Sequence, residues 1–242
     1  MKKATGSAGS TVTLGIMQPY FLPYIGYWQL LAAVDRFVVY DNIQYTKKGW
    51  INRNRFLRNG TDAFFTLPLQ KGSDYLSVAE RSLAEDFDPA ALLNPLAAAY
   101  RKAPFFAAVF PVLETIVTAA PRNLFEYLHH SLAVTAGYLE IPTPMVVSSQ
   151  VAIDHRLKSE EKVIELCRAQ GADRYINFIG GRDLYSPARF AAAGIELGFI
   201  QSRPITYQQF APPFVPALSI LDVMMFNSTD AVRGMLGQYD LV

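Results

Sequence analysis

Two short apolar runs, Thr11–Met17 and Arg36–Tyr40, frame the N-terminal part of the chain, with room between them for one loop and one short helix. Both are rich in residues that suit a buried strand. The connection is too long for a tight hairpin and long enough for a crossover, so the two strands are expected to lie parallel with a helix packed on their sheet. Gln18–Tyr24 is the loop, stiffened by Pro19 and Pro23, and the helix runs through Trp28-Gln29-Leu30-Leu31. In such units the loops that follow the strands face a common edge where ligands bind.

The remaining chain extends this pattern. Ala63–Leu69 and Tyr75–Val78 are expected to pair across the Lys71-Gly72-Ser73 turn. Helical spacing dominates from Pro89 to Gly137, beginning with a proline where a missing amide hydrogen does no harm. Strand and helix alternation then resumes: strands at Pro144–Ser148, Arg174–Phe178 and Ile195–Ile200, and helices at Ser159–Gln170 and Tyr185–Ala193. Two short helices, Ser219–Phe226 and Thr229–Leu236, follow. Ser219 suits a helix cap, with Asp222 at capping-box distance. The expectation is a flexible leader over residues 1–10 and one α/β domain over 11–242. Its sheet is Rossmann-like and largely parallel, and residues 89–137 form a predominantly helical insertion or subdomain.

Composition narrows the function. Of 242 residues, 51% are hydrophobic and 18% charged, which supports a packed core. The net charge of +1 gives no global field to recruit nucleic acid or an anionic membrane. The single cysteine, Cys167, rules out an internal disulfide framework and a cysteine-cluster zinc site. No apolar stretch has the length of a membrane span, and the leader lacks a signal-peptide pattern, so a cytoplasmic location is expected. His129 and His130 are adjacent on a helix and cannot share a face, so no metal is expected. No cofactor is legible. His155, after Asp154, is a minor acid/base candidate.

Two segments carry the candidate site. In Met17–Trp28, Gln18 offers donor and acceptor, Tyr20, Tyr24 and Tyr27 offer pocket walls, and Gly26 permits close approach. After the second strand, Asp41-Asn42-Ile43-Gln44-Tyr45-Thr46-Lys47-Lys48-Gly49-Trp50-Ile51-Asn52-Arg53-Asn54-Arg55 gathers an acid, amides, cations and an indole. Lys47, Lys48, Arg53 and Arg55 suit an anionic substrate, with Gln44, Trp50 and Asn52 completing the wall. Asp41 could deprotonate an acceptor, bind an amine or hydroxyl, or hold a neighbouring cation. Gly180, Gly181 and Arg182, after a predicted strand, form a second edge without a dinucleotide fingerprint. Interleaved basic and aromatic residues also suit RNA, but near-neutral charge and the short basic segment favour a small anion.

These blocks resemble the WbqC-like protein family. The resemblance rests on Met17-Gln18-Pro19-Tyr20-Phe21-Leu22-Pro23-Tyr24-Ile25-Gly26-Tyr27, Tyr40-Asp41-Asn42-Ile43-Gln44-Tyr45 and Trp50-Ile51-Asn52-Arg53-Asn54-Arg55. It continues through Lys102–Phe106, Gly180–Tyr185 and Leu218–Asp222. The resemblance implies a role in bacterial surface-polysaccharide biosynthesis, as a transferase acting on a nucleotide-linked sugar or related anionic metabolite. Asp41 and Gln18 would be its catalytic residues. The alternative is a noncatalytic metabolite-binding or pathway-assembly protein, with polysaccharide-pathway proteins as partners. The opening is also distantly similar to nucleotidylyl-transferase architecture, with Tyr24 and Tyr27 standing at that superfamily's two signature histidines. Tyrosine is no charged proton donor at neutral pH, so that chemistry does not transfer with the likeness. Ala84–Asp88 likewise lacks the tryptophan and histidine pattern of many relatives.

Overall fold

The computed structural model describes residues 11–242, so the expected leader lies outside the described residues. The opening unit is β1 (Thr13–Met17), α1 (Ile25–Ala32) and β2 (Arg36–Val39). A hairpin follows, β3 (Arg53–Arg58) and β4 (Thr61–Thr66), then α2 (Pro89–Tyr100), α3 (Phe106–Val117) and α4 (Leu124–Tyr138). The chain returns through β5 (Met145–Val147), α5 (Ser159–Ala169), β6 (Arg174–Phe178), α6 (Pro187–Ala192) and β7 (Glu196–Ser202). It ends with α7 (Ile220–Phe226), α8 (Thr229–Leu236) and β8 (Tyr239–Leu241).

Six strands form one sheet in the order β5-β2-β1-β6-β7-β8, and every neighbouring pair is parallel except β7 with β8. This is the expected largely parallel α/β sheet. The strand order reverses at β1: the chain first builds toward β2 and later continues on the other side with β6. Side chains alternate across the sheet. Phe37, Val39, Ile176 and Ile200 join the larger core, packed by α1, α2–α4, α7 and α8. Leu14, Ile16, Val38 and Tyr175 face a second core with Val163, Leu166 and Cys167 of α5 and Phe190 of α6. Trp28, Tyr27 and Phe37 are wholly buried beneath the opening loop. Full burial of an apolar side chain of this size contributes about 1.5–3 kcal/mol as an upper estimate.

Three expectations change. The expected pairing of Ala63–Leu69 with Tyr75–Val78 is replaced by pairing of β4 with β3. The turn is Asn59-Gly60, with φ of 52° and 78°, which matches a type I′ hairpin turn. Arg53–Arg58, the end of the polar stretch that follows the second strand, form β3. β8, outside the sequence expectation, adds an antiparallel edge. Asp222 makes no capping box: Ser219 accepts from the Leu221 amide, while the Asp222 carboxylate turns into the core.

Candidate functional site

A cleft lies beyond the carboxyl ends of β1, β2 and β6, the place where a strand-order reversal opens a crevice in sheets of this kind. Its inner part, about 360 Å³, is walled by Ile16, Met17 and Gln18 from β1 and its loop, and by Asn177, Phe178, Gly180 and Gly181 from β6 and its turn. It runs into an outer part of about 850 Å³ across Tyr40, Ile43, Val163, Leu184 and Tyr185. The outer part is edged by Asn42, Gln44 and His155, by the cations Arg156, Lys158 and Lys162, and by the carboxylates Glu160 and Asp183. A third cavity of about 200 Å³ shares Tyr20 and Tyr24 with the inner part and is completed by Pro23, Trp50, Asn54, Arg55 and Ala217.

The loop between β1 and α1 is held from outside by two other segments. The Asn54 side-chain amide donates to the carbonyls of Phe21 and Leu22 at 3.2 and 2.9 Å, and the Ser219 hydroxyl donates to Leu22 at 2.7 Å. The Phe21 amide donates to the Ile51 carbonyl at 3.0 Å, and the Ile220 amide to Pro23 at 2.9 Å. Segments around Asn54 and Ser219 thus fix the tyrosine wall of the cleft, and they do so with buried polar contacts that are costly to break.

Lys162, on α5, is the principal polar group that the sequence reading missed. Its side chain reaches the cleft although the residue is 4% exposed. Nζ donates to Asn42 Oδ1 at 3.1 Å and sits 4.9 Å above the Tyr40 ring. Burial lowers its pKa, and the nearby Asp41 carboxylate works against that shift. Asn42 Oδ1 also accepts from the Ser148 hydroxyl at 2.8 Å, and its Nδ2 lies 3.0 Å from His155 Nδ1. Asp41 itself is 3% exposed and accepts from the Ser149 amide at 2.9 Å. It is not on the cleft wall. The signal for Lys162 was a cation on an otherwise apolar helical stripe with Val163, Leu166 and Cys167.

Other walls are tyrosine-rich. Asn177 Nδ2 donates to the hydroxyls of Tyr175 and Tyr185, both at 2.9 Å. Burial pushes up the pKa values of Tyr20, Tyr24 and Tyr185, and takes Tyr40 to about 12, so these hydroxyls are neutral donors at ordinary pH. Gln18 Oε1 accepts from Tyr20 at 3.3 Å, while its Nε2 has no protein acceptor among the described residues. Gln18 therefore keeps donor capacity in the cleft.

The expected site residues separate into three groups. Gln18, Tyr20, Tyr24, Gln44, Gly180 and Gly181 line the cleft, and Trp50 and Arg55 line the third cavity. Tyr27, Gly26 and Asn52 are buried in the frame: the Tyr27 hydroxyl donates to the Gln18 carbonyl, and Asn52 bridges Tyr45 and Leu67. A methyl group at Gly26 would stand 2.3 Å from the Tyr24 hydroxyl oxygen, so the glycine leaves room for that ring. The basic segment does not form one anion-binding wall. Lys47 pairs with Asp74 at 2.7 Å, and Arg53 donates to the carbonyls of Gly49 and Lys48. Arg55 pairs with Asp62 at 3.3 Å, and Lys48 and Arg182 are exposed away from these cavities. Among the described residues no group of three or more His, Cys, Asp or Glu is placed to hold a metal, and no helix is long and apolar enough to cross a membrane.

Fold and cleft define an α/β protein with a crevice at its strand-order reversal. The chain belongs to the WbqC-like protein family, whose model matches residues 18–234. It is similar to the uncharacterized protein Rv1507c of Mycobacterium tuberculosis, with 29% identity over 219 residues, covering 88% of this chain and 93% of that protein. No solved structure matches it.

Proposed function

We propose that the protein is a cytoplasmic transferase of bacterial surface-polysaccharide biosynthesis that moves a small group onto a nucleotide-linked sugar or related anionic metabolite. The carrying observation is the continuous cleft over β1, β2 and β6 with Lys162 held at its floor by Asn42 and Tyr40. A cation fixed in a partly desolvated cleft attracts phosphate more strongly than one in open water. Lys158 and Arg156 stand at the same edge, and the Glu160 carboxylate beside them is occupied by the Ser186 amide and by Arg189 at 2.9 Å.

In this reading Lys162 meets the phosphates, Gln18 orients a polar group of the substrate, and the tyrosine hydroxyls donate to its oxygens. Asp41, buried nearby, favours the charged form of Lys162 through its field. The second reading, a noncatalytic metabolite-binding or pathway-assembly protein, draws on that same placement, because the expected base is shielded from the cleft. Incubation with nucleotide sugars and acyl, aminoacyl and nucleotide donors, followed by untargeted mass detection, separates the two. A new product mass that disappears in Lys162→Gln supports transfer. Binding without any new mass across the panel selects the noncatalytic reading.

A further inference from the structure

The third cavity is small, mostly apolar and joined to the cleft by shared walls. Its volume, about 200 Å³, is below the roughly 300–1,000 Å³ of pockets that enclose a drug-sized molecule. Tyr20, Pro23, Tyr24, Trp50 and Ala217 supply apolar surface. Trp50 is 41% exposed and is backed by Phe64, whose ring stacks on it at 6.3 Å and 20°.

The polar groups at this cavity are largely committed. Asn54 spends Nδ2 on Phe21 and Leu22 and Oδ1 on the Arg55 amide. Arg55 donates to Asp62 Oδ2 and, at 2.9 Å, to the Ala217 carbonyl, while its Nε has no partner. A guanidinium has five N–H donors, so Arg55 brings spare donors and a partly balanced charge to an apolar chamber. A nucleobase edge or a hydroxylated sugar ring needs several partners at once, and leaving them unmet in an apolar chamber is costly. An apolar chain with one terminal acceptor matches both the walls and the donor.

We propose that this cavity holds a short apolar chain ending in a carbonyl or carboxylate oxygen, the acyl group of a second substrate. The assignment rests on the transferase reading, and makes Tyr20 and Tyr24 the junction at which an activated acyl donor would meet the sugar-bearing acceptor. In the transfer, an amine or hydroxyl of the acceptor bonds to the carbonyl carbon. The bond from that carbon to its leaving group breaks with its electron pair, and the acceptor's proton passes to the leaving group or to water.

Butanoate is a suitable probe, because the exposed Trp50 reports on the cavity while the other tryptophan, Trp28, is buried. Butanoate should change Trp50 emission saturably, butanol much less, and Arg55→Gln should weaken butanoate about tenfold, the loss of one charge-assisted contact. Lys162→Gln should leave butanoate unaffected while weakening UDP-glucose, measured in parallel by calorimetry. Trp50→Ala, followed by ligand-observed NMR, gives a second test at an exposed position if Arg55→Gln loosens the fold. Equal binding of butanol, unchanged butanoate affinity in Arg55→Gln and Trp50→Ala, or preferential saturation by methyl glucoside or uridine overturns the acyl assignment. Failure of butanoate with UDP-glucose binding intact removes this proposal alone. Failure of UDP-glucose with butanoate binding intact removes the nucleotide-sugar reading and leaves a carboxylate site.

Discussion

Buried ionisable groups differ here in whether their surroundings reward charge. Asp222 is fully buried and receives Tyr100 at 2.8 Å, Tyr207 at 2.7 Å and Gln209 at 2.8 Å. Burial nonetheless raises its pKa against the lowering effect of those donors. Since the folded value exceeds the unfolded one, the native state holds the extra proton between them, and stability falls as pH rises through that window, which opens at the ordinary 3.8. Denaturant unfolding at a series of pH values should show this slope in the wild type and not in Asp222→Asn. Asp222→Ala should cost about 3 kcal/mol or more, because each donor left buried without an acceptor costs about 1–3 kcal/mol. Cys167 illustrates the simpler case: burial alone pushes its thiol to about 12. Iodoacetamide at neutral pH should leave the native protein unmodified and label it after denaturation, as read by intact mass.

At the scale of elements, the β3–β4 hairpin carries Asn54 and Arg55 to the loop they brace and the cavity they edge. Its turn depends on Gly60 at φ 78°, where a β-branched residue is strained even though space is open. Gly60→Val should destabilise the protein by about 1–2 kcal/mol in denaturant unfolding, the usual cost of a side chain in the left-handed region. Asn59-Gly60 was a readable hairpin signal. The polar sequence of β3, with arginines at 53, 55 and 58, instead resembled a binding loop. Its alternation only becomes visible once Asn54 and Phe56 are known to be buried and Arg53 and Arg55 only partly so, with Leu57 buried as well. β1, β2 and β6 were legible because each is a compact apolar run between turn signals, and their parallel arrangement followed from connection length. β8 was not: Tyr239-Asp240-Leu241 has no such pattern and gains its conformation from pairing with β7.

Across the whole molecule, the Asp222 cluster joins the hairpin, α2, the segment before α7 and α7 itself, since Tyr100 also accepts the Leu57 amide at 2.9 Å. The cleft is assembled from similarly distant segments, which explains the uneven legibility of its residues. Gln18 and Gly180–Gly181 could be found because they directly follow strands. Lys162 could not be assigned without seeing Asn42 and Tyr40 brought to α5 by the sheet. A ligand seated there must stabilise the entire fold: at a free concentration one hundred times its dissociation constant, unfolding should cost about 2.7 kcal/mol more. Thermal or denaturant unfolding with a nucleotide sugar should show this gain, and Lys162→Gln should lose most of it at the same concentration. The ring of Tyr24 resting over Gly26 also makes the outcome of sequence change depend on order. A methyl group introduced first at position 26 forces that ring to shift where it walls the inner cleft and the third cavity; trimming Tyr24 first removes the three closest contacts of that methyl. The pair is therefore epistatic, and a mutational library that samples the two positions singly will misjudge the combinations open to them.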